Sequence, residues 1–195
     1  MDNFSYIIYC QKTKSAALVD PSFDAAKALE FITEDKLKLL YLINTHHHSD
    51  HTGDNQSVIN SQSCELIISS LANPRFSFGN VRKVIDSEIL SIGEANLKFI
   101  HTPGHTQDGI CIIVNDEALI TGDTLFIGDC GRCDLPGSNI AKMFESLQKI
   151  KSLPDHLIVY PGHDYGDKPY DTLGSQKRIN KTLLAKTLGE FSKIP

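Results

Sequence analysis

Thr45-His46-His47-His48-Ser49-Asp50-His51 is the stretch on which the fold turns. Four histidines and a carboxylate fall within six residues. The block follows Leu39-Leu40-Tyr41-Leu42-Ile43, a short continuous apolar run of the kind that makes a buried strand. It therefore begins where a strand ends, at the rim of a sheet. Thr52-Gly53-Asp54-Asn55 then turns the chain toward a helix. Imidazole and carboxylate are the usual ligands of a borderline divalent metal such as zinc. From an extended backbone His46 and His48 can converge on one ion, while Asp50 and His51 reach a second. A histidine run can also be a tag, but tags sit at termini and carry no internal aspartate.

Before the block, Phe4–Cys10 and Ala16–Asp20 are β-leaning runs parted by Gln11-Lys12-Thr13-Lys14, the pattern of a hairpin. Pro21-Ser22 ends it. Ser22 is the expected cap of a helix running to about Lys36, with Ala25, Ala28, Leu29 and Ile32 on one face. Strand, helix, strand in that order gives a crossover and mixed pairing. After the block the expected elements are a short helix over Gln56–Ser61 and a strand over Glu65–Ile68. Leu71–Asn80 reads as irregular. Short strands follow over Val81–Ile85, Ile89–Ile92 and Asn96–His101. Ile110–Val114 and Ala118–Thr121 form a second hairpin. Asn139–Ile150 reads as a helix and Leu157–Tyr160 as a late strand. Leu173–Phe191 is helical with a break near Asn180. Hairpins mixed with crossovers fit two packed sheets with helices outside better than one doubly wound sheet.

Three further candidate ligands repeat the logic of the block. His105 follows the strand ending at Ile100, in a turn shaped by Pro103 and Gly104. Asp123 follows Ala118–Ile120, and His163 follows Leu157–Tyr160 through Pro161-Gly162. Residues at the carboxyl ends of several strands can meet at one rim. Counting donors gives His46, His48 and His105 to one metal, Asp50, His51 and His163 to a second, and Asp123 to both. Paired ions about 3.5–4 Å apart clamp the attacking and the polarised oxygens, and a bound metal brings water's pKa to about 7.

The length of 195 residues, 41% hydrophobic and 22% charged content describe one globular domain, residues 1–195. A formal net charge of −5 argues against nucleic acid or an anionic membrane as partner. No apolar stretch approaches the roughly 20 residues that span a bilayer. The first residues carry no basic signal-peptide region, and five cysteines in no secreted framework suit reduced thiols, so the expected address is the cytoplasm. Oligomeric state is not legible.

The motif His46-His47-His48-Ser49-Asp50-His51, joined by His105, Asp123 and His163, resembles the metallo-β-lactamase superfamily. The resemblance implies an α/β (α+β) fold, an αββα four-layer sandwich of two mixed sheets flanked by helices, with the metal site at one edge. Gly122-Asp123-Thr124-Leu125-Phe126, Cys130-Gly131-Arg132 and Gly162-His163-Asp164-Tyr165 are similar to glyoxalase II, hydroxyacylglutathione hydrolase. That likeness implies hydrolysis of a small thioester by a metal-bridging hydroxide, with Asp50 and Asp123 catalytic. Two divalent ions are implied, zinc first, with iron or manganese as alternatives. It also places Arg132 and Tyr165 against the glutathione part of the substrate. The chain departs from the long glyoxalase II enzymes, which continue into a helical domain with further basic residues; Lys177, Arg178 and Lys181 substitute only loosely. Asp134 stands where that family often has an aromatic. Persulfide dioxygenases, which use one iron, share Cys-Gly-Arg-x-Asp and His-Asp-Tyr but usually lack a histidine at the position of His47.

Smaller features have blander expectations. Cys130 and Cys133 spell Cys-x-x-Cys without a second pair or a thioredoxin-like context. His47 is a candidate partner of the ligands, Thr45 and Thr106 are candidate donors to them, and His101 a candidate brace for the turn bearing His105.

Overall fold

The computed structural model describes residues 2–73 and 79–194. The expected irregular stretch Leu71–Asn80 thus lies partly outside the described residues. One sheet contains β1 (Tyr6–Tyr9), β2 (Ser15–Val19), β3 (Lys38–Ile43), β4 (Glu65–Ser69) and β5 (Val81–Val84), paired in that order. Its first pair is antiparallel and the others are parallel. The second sheet runs β11 (Asp171–Thr172), β10 (Ile158–Pro161), β9 (Ala118–Gly122), β8 (Ile110–Val114), β7 (Ala95–His101), β6 (Ile89–Ile92). Only β9 and β10 are parallel there. Both sheets are mixed, as expected.

Side-chain alternation builds three apolar layers. Ala17, Val19, Ile43 and Ile67 of the first sheet meet Leu97, Phe99, Ile110, Ile112 and Ile120 of the second. The opposite face of the first sheet, with Leu18, Leu42, Leu66 and Ile68, packs Ile32 of α1 (Ala26–Glu34) and Val58 of α3 (Asn55–Ser61). The outer face of the second sheet packs Met143, Leu147 and Ile150 of α4 (Ile140–Lys151). Leu173, Leu183 and Phe191 join it from α5 (Leu173–Ile179), α6 (Lys181–Leu184) and α7 (Leu188–Phe191). Each fully buried large side chain contributes about 1.5–3 kcal/mol. The result is the expected αββα sandwich. Among the described residues, no helix is long and apolar enough to cross a membrane.

One local expectation was misplaced and another was borne out. Ser22 does not cap α1: it sits at φ +60, and its hydroxyl donates to the Asp50 carbonyl at 2.7 Å. Asp54 accepts from Ala25 N at 2.7 Å instead, tying the start of the helix to the loop beyond the histidine block. The break at Asn180 is real and has a cause. Asn180 is fully buried, and its amide donates to the carbonyls of Phe126 and Asp129, at 3.0 and 2.9 Å. The adjacent Gln176 accepts from Gly128 N at 2.8 Å. The helix stops so that these amides can satisfy a loop that has no strand to pair with.

Candidate metal centre

The strands β7, β9 and β10 run in one direction, with β8 against them, so their carboxyl ends share one rim. The end of β3 joins that rim from the other sheet, where the Ile110 amide donates to the Thr45 carbonyl at 2.9 Å. From there the chain enters α2 (Ser49–Thr52), so Asp50 and His51 sit on a helical turn.

The sequence-predicted ligands converge. His46 Nε2 lies 3.1 Å from His48 Nδ1, which lies 3.0 Å from His105 Nε2. His51 Nε2 and His163 Nε2 are 3.3 Å apart, with Asp50 Oδ2 at 3.7 and 3.4 Å from them. Asp123 lies between the two trios: Oδ2 is 3.4 Å from His105 and 3.3 Å from His163, and Oδ1 is 3.3 Å from His51. Ligand atoms on a tetrahedral zinc, at about 2.0–2.1 Å from the ion, stand about 3.3 Å apart. His46–His48–His105 and Asp50–His51–His163 could each hold a metal ion. Asp123 Oδ1 is buried without a hydrogen-bond partner, which suits a lone pair reserved for a cation.

The residues supporting these trios were mostly invisible in the sequence. Asp20, at the end of β2 and at φ +48, accepts from Thr45 N and Oγ1 at 2.8 and 2.6 Å. Its Oδ2 also lies 3.0 Å from His51 Nδ1. Thr45 Oγ1 in turn meets His46 Nδ1 at 3.1 Å. One carboxylate thereby orients a histidine of each trio. Its signal was the same as that of the ligands, an acid directly after an apolar strand, but the neighbouring Pro21 made it read as a hairpin end. His105 Nδ1 donates to the Arg132 carbonyl at 2.8 Å, and Asn3 Nδ2 donates to Asp50 Oδ2 at 3.1 Å. Gly162 stands where a Cβ would strike Asp123 Oδ1, so the loop bearing His163 can close on Asp123.

Burial holds His46 well below the ordinary imidazole range, and the neighbouring histidines push the same way. Burial also lowers His48, to about 4. Burial works against charge on His51 too, but Asp20 and Asp123 outweigh it and raise the ring to about 10. For Asp123 burial opposes ionisation, yet His163 and His51 hold the carboxyl well below its usual range. Neutral His46 and His48 beside an ionised Asp123 are a metal-ready donor set.

A cavity of about 410 Å³ opens over the trios and is walled by Phe126, Arg132, Leu135 and Tyr165 among others. Both sequence-predicted substrate contacts therefore border it. Tyr165 stacks on the His163 ring at 4.6 Å. Arg132 is exposed and forked onto Asp134 by two 2.6 Å bonds. His47 pairs with buried Asp108 at 2.7 Å, and its ring meets that of His48 edge-on at 5.1 Å. His101 does not brace the His105 turn; it faces the first sheet, 3.2 Å from the Val84 carbonyl. Thr106 Oγ1 is buried without a partner and supports no ligand. Burial pushes the Cys130 and Cys133 thiols up, the latter to about 11, and both donate to the Gly131 carbonyl, so neither is poised as a thiolate.

The sequence profile of the metallo-beta-lactamase superfamily matches residues 2–163. The chain is 35% identical over 181 residues to a probable polyketide biosynthesis zinc-dependent hydrolase, BaeB, of Bacillus velezensis, covering 91% of this chain and 80% of the relative. It is 36% identical over 166 residues to the hydroxyacylglutathione hydrolase of Rhodospirillum rubrum, covering 84% of this chain but 63% of that enzyme. The chain thus spans less than two thirds of that relative's length. The crystal structure of ETHE1 from Myxococcus xanthus superimposes with a TM-score of 0.89 at 29% identity, over 97% of this chain and 83% of that one.

Proposed function

The chain belongs to the metallo-β-lactamase superfamily as one of its metal-dependent hydrolases, and on that premise we propose that it hydrolyses small thioesters, in the manner of hydroxyacylglutathione hydrolases. The observation that carries the reading is Asp123, whose oxygens lie 3.3–3.4 Å from histidines of both trios. His46, His48 and His105 would hold one ion, Asp50, His51 and His163 a second, and Asp123 would serve both. Zinc is the first candidate, as in the BaeB relative, with iron or manganese next. Bound there, such ions polarise a carbonyl and bring the pKa of a coordinated water to about 7.

The protein's own groups do the positioning. Asp50, steadied by Asn3, orients the attacking water and takes its proton. Buried Asp20 and Thr45 keep His51 and His46 aimed at the centre. Tyr165 and Arg132, which wall the cavity, would border the thiol arm of the substrate. The departing thiol, with an ordinary pKa of about 8.5, leaves without a general acid.

Hydrolysis of S-D-lactoylglutathione by zinc-loaded protein tests this, with His48→Ala as the control. Turnover that collapses in the variant supports the reading. No turnover across a panel of thioesters, or turnover untouched by the change, defeats it. The competing activity, an iron-dependent persulfide dioxygenase, rests on Cys130-Gly131-Arg132-x-Asp134 with His163-Asp164-Tyr165. Metal analysis and oxygen uptake with glutathione persulfide separate the two.

A further inference from the structure

The candidate cations for the carboxylates of a glutathione arm are Arg132, Lys177, Arg178 and Lys181. Each faces an acid of the chain itself. Asp134 takes Arg132 in a fork, Nε to Oδ1 and Nη2 to Oδ2, both at 2.6 Å. Asp129, in the wall of the metal cavity, takes Lys181 at 2.6 Å. Asp155 takes Lys177 at 2.5 Å, and Lys177 together with Arg178 holds its carboxyl below the ordinary value.

The fork at Arg132 stands in the cavity wall on a pinned backbone. His105 Nδ1 donates to the Arg132 carbonyl at 2.8 Å. Cys130 and Cys133 pack into the outer core and donate to the Gly131 carbonyl at 3.4 and 3.6 Å. A Cβ on Gly131 would strike the Asp123 carbonyl, so the loop lies flush against a metal ligand. With the backbone fixed from both sides, two exposed side chains meet at the mouth of the cavity. Exposed ion pairs contribute little as a rule, and a bidentate guanidinium–carboxylate fork is the strong exception. An incoming carboxylate must either displace Asp134 from that fork or add a second negative charge beside it. An uncharged arm does neither.

We propose that Asp134 is a specificity-determining residue, which occupies Arg132 and so biases the protein toward thioesters whose thiol arm is uncharged and against those whose thiol arm carries carboxylates. Selectivity of this kind comes from opposing the unwanted partner rather than from holding the preferred one. The inference rests on the thioesterase reading and narrows its substrate class. Asp134 acts through Arg132 and is a positioning residue.

The test compares two substrates with one acyl group on zinc-loaded protein: S-acetyl-N-acetylcysteamine, with an uncharged arm, and S-acetylglutathione. We expect the wild type to favour the first by about fivefold in kcat/KM, the upper end of what an exposed pair supplies. Asp134→Asn should abolish that preference by lowering KM for S-acetylglutathione with kcat kept. Asp134→Glu, which keeps the charge, should retain the preference. The ratio of the two substrates is blind to loss of folded protein. In Arg132→Gln protein, adding Asp134→Asn should move the ratio less than it does in the wild type, since no fork is left to occupy. Calorimetry with thioethers reads binding without turnover: S-hexylglutathione should bind Asp134→Asn about fivefold more tightly than wild type, and S-hexyl-N-acetylcysteamine should gain nothing. A wild-type preference for the glutathione arm, a ratio unmoved by Asp134→Asn, or an equal gain without Arg132 overturns the proposal. Absence of all thioester hydrolysis would strike the parent reading instead, and the thioether affinities would still decide the role of Asp134.

Discussion

The two ligand trios are built by different means. His46 and His105 are steadied by neutral groups, the Thr45 hydroxyl and the Arg132 carbonyl. His51 of the other trio leans on a buried carboxylate, Asp20, and Asp50 is fixed by an amide from the first residues of the chain. Charge-assisted contacts are stronger and fix a tautomer more firmly than neutral ones. The lesson is that one cluster can contain a softer and a firmer half, with Asp123 standing between them.

The largest expected effect comes from removing that coupling. Asp123→Ala should lower turnover about a thousandfold or more at saturating zinc, because several kcal/mol of transition-state stabilisation depends on the bridge. Steady-state kinetics with any accepted thioester reads it. Next, Asp20→Asn should weaken zinc binding at the His51 trio by about 10–100-fold and at the His46 trio by less. Competition against a chromophoric chelator measures both steps, and equal losses would erase the contrast. Thr45→Val should do the reverse, touching only the His46 trio and by about tenfold at most.

In metal-free protein the halves should also part company with pH. His48 is held at about 4, so the unfolded chain takes up a proton first as pH falls below about 6.5, and stability is lost on the acid side. His51 is raised to about 10, so its contribution is complete below about 6.5 and is lost as pH climbs toward 10. Melting curves of His48→Asn and His51→Asn should flatten opposite limbs of the profile. The smallest change is Asn3→Ala, which removes one hydrogen bond to Asp50 and should cost about 0.5–1.5 kcal/mol, less than about tenfold in kcat.

Much of this was legible because one rule served each loop that carries candidate ligands. His46, His105, Asp123 and His163 each follow an apolar run, and a run of that kind reports both a strand and its end. Which face each core side chain takes was not legible in Ala16–Val19 and Leu66–Ile68, because both are continuous apolar runs buried on the two sides of the sheet. What escaped was contact across long separations. Asn3 meets Asp50, and Asn180 meets Phe126, through amides that look like ordinary turn or helix-end residues in the sequence. The Arg132 carbonyl has no side-chain signature at all. His101 was misjudged because its neighbour in sequence is the His105 turn, while its neighbour in space is β5.

The opening residues of the chain lie along the final ligand loop: Asn3 bridges His163, Phe4 N donates to the Gly162 carbonyl, and the Asp2 carbonyl accepts from Asp164 N. Whatever is fused ahead of them emerges beside the cation-binding mouth. A polyhistidine purification handle placed there would compete for the same ions, so metal stoichiometry and kinetics are best taken on protein carrying its handle at the other terminus, or cleaved free of it.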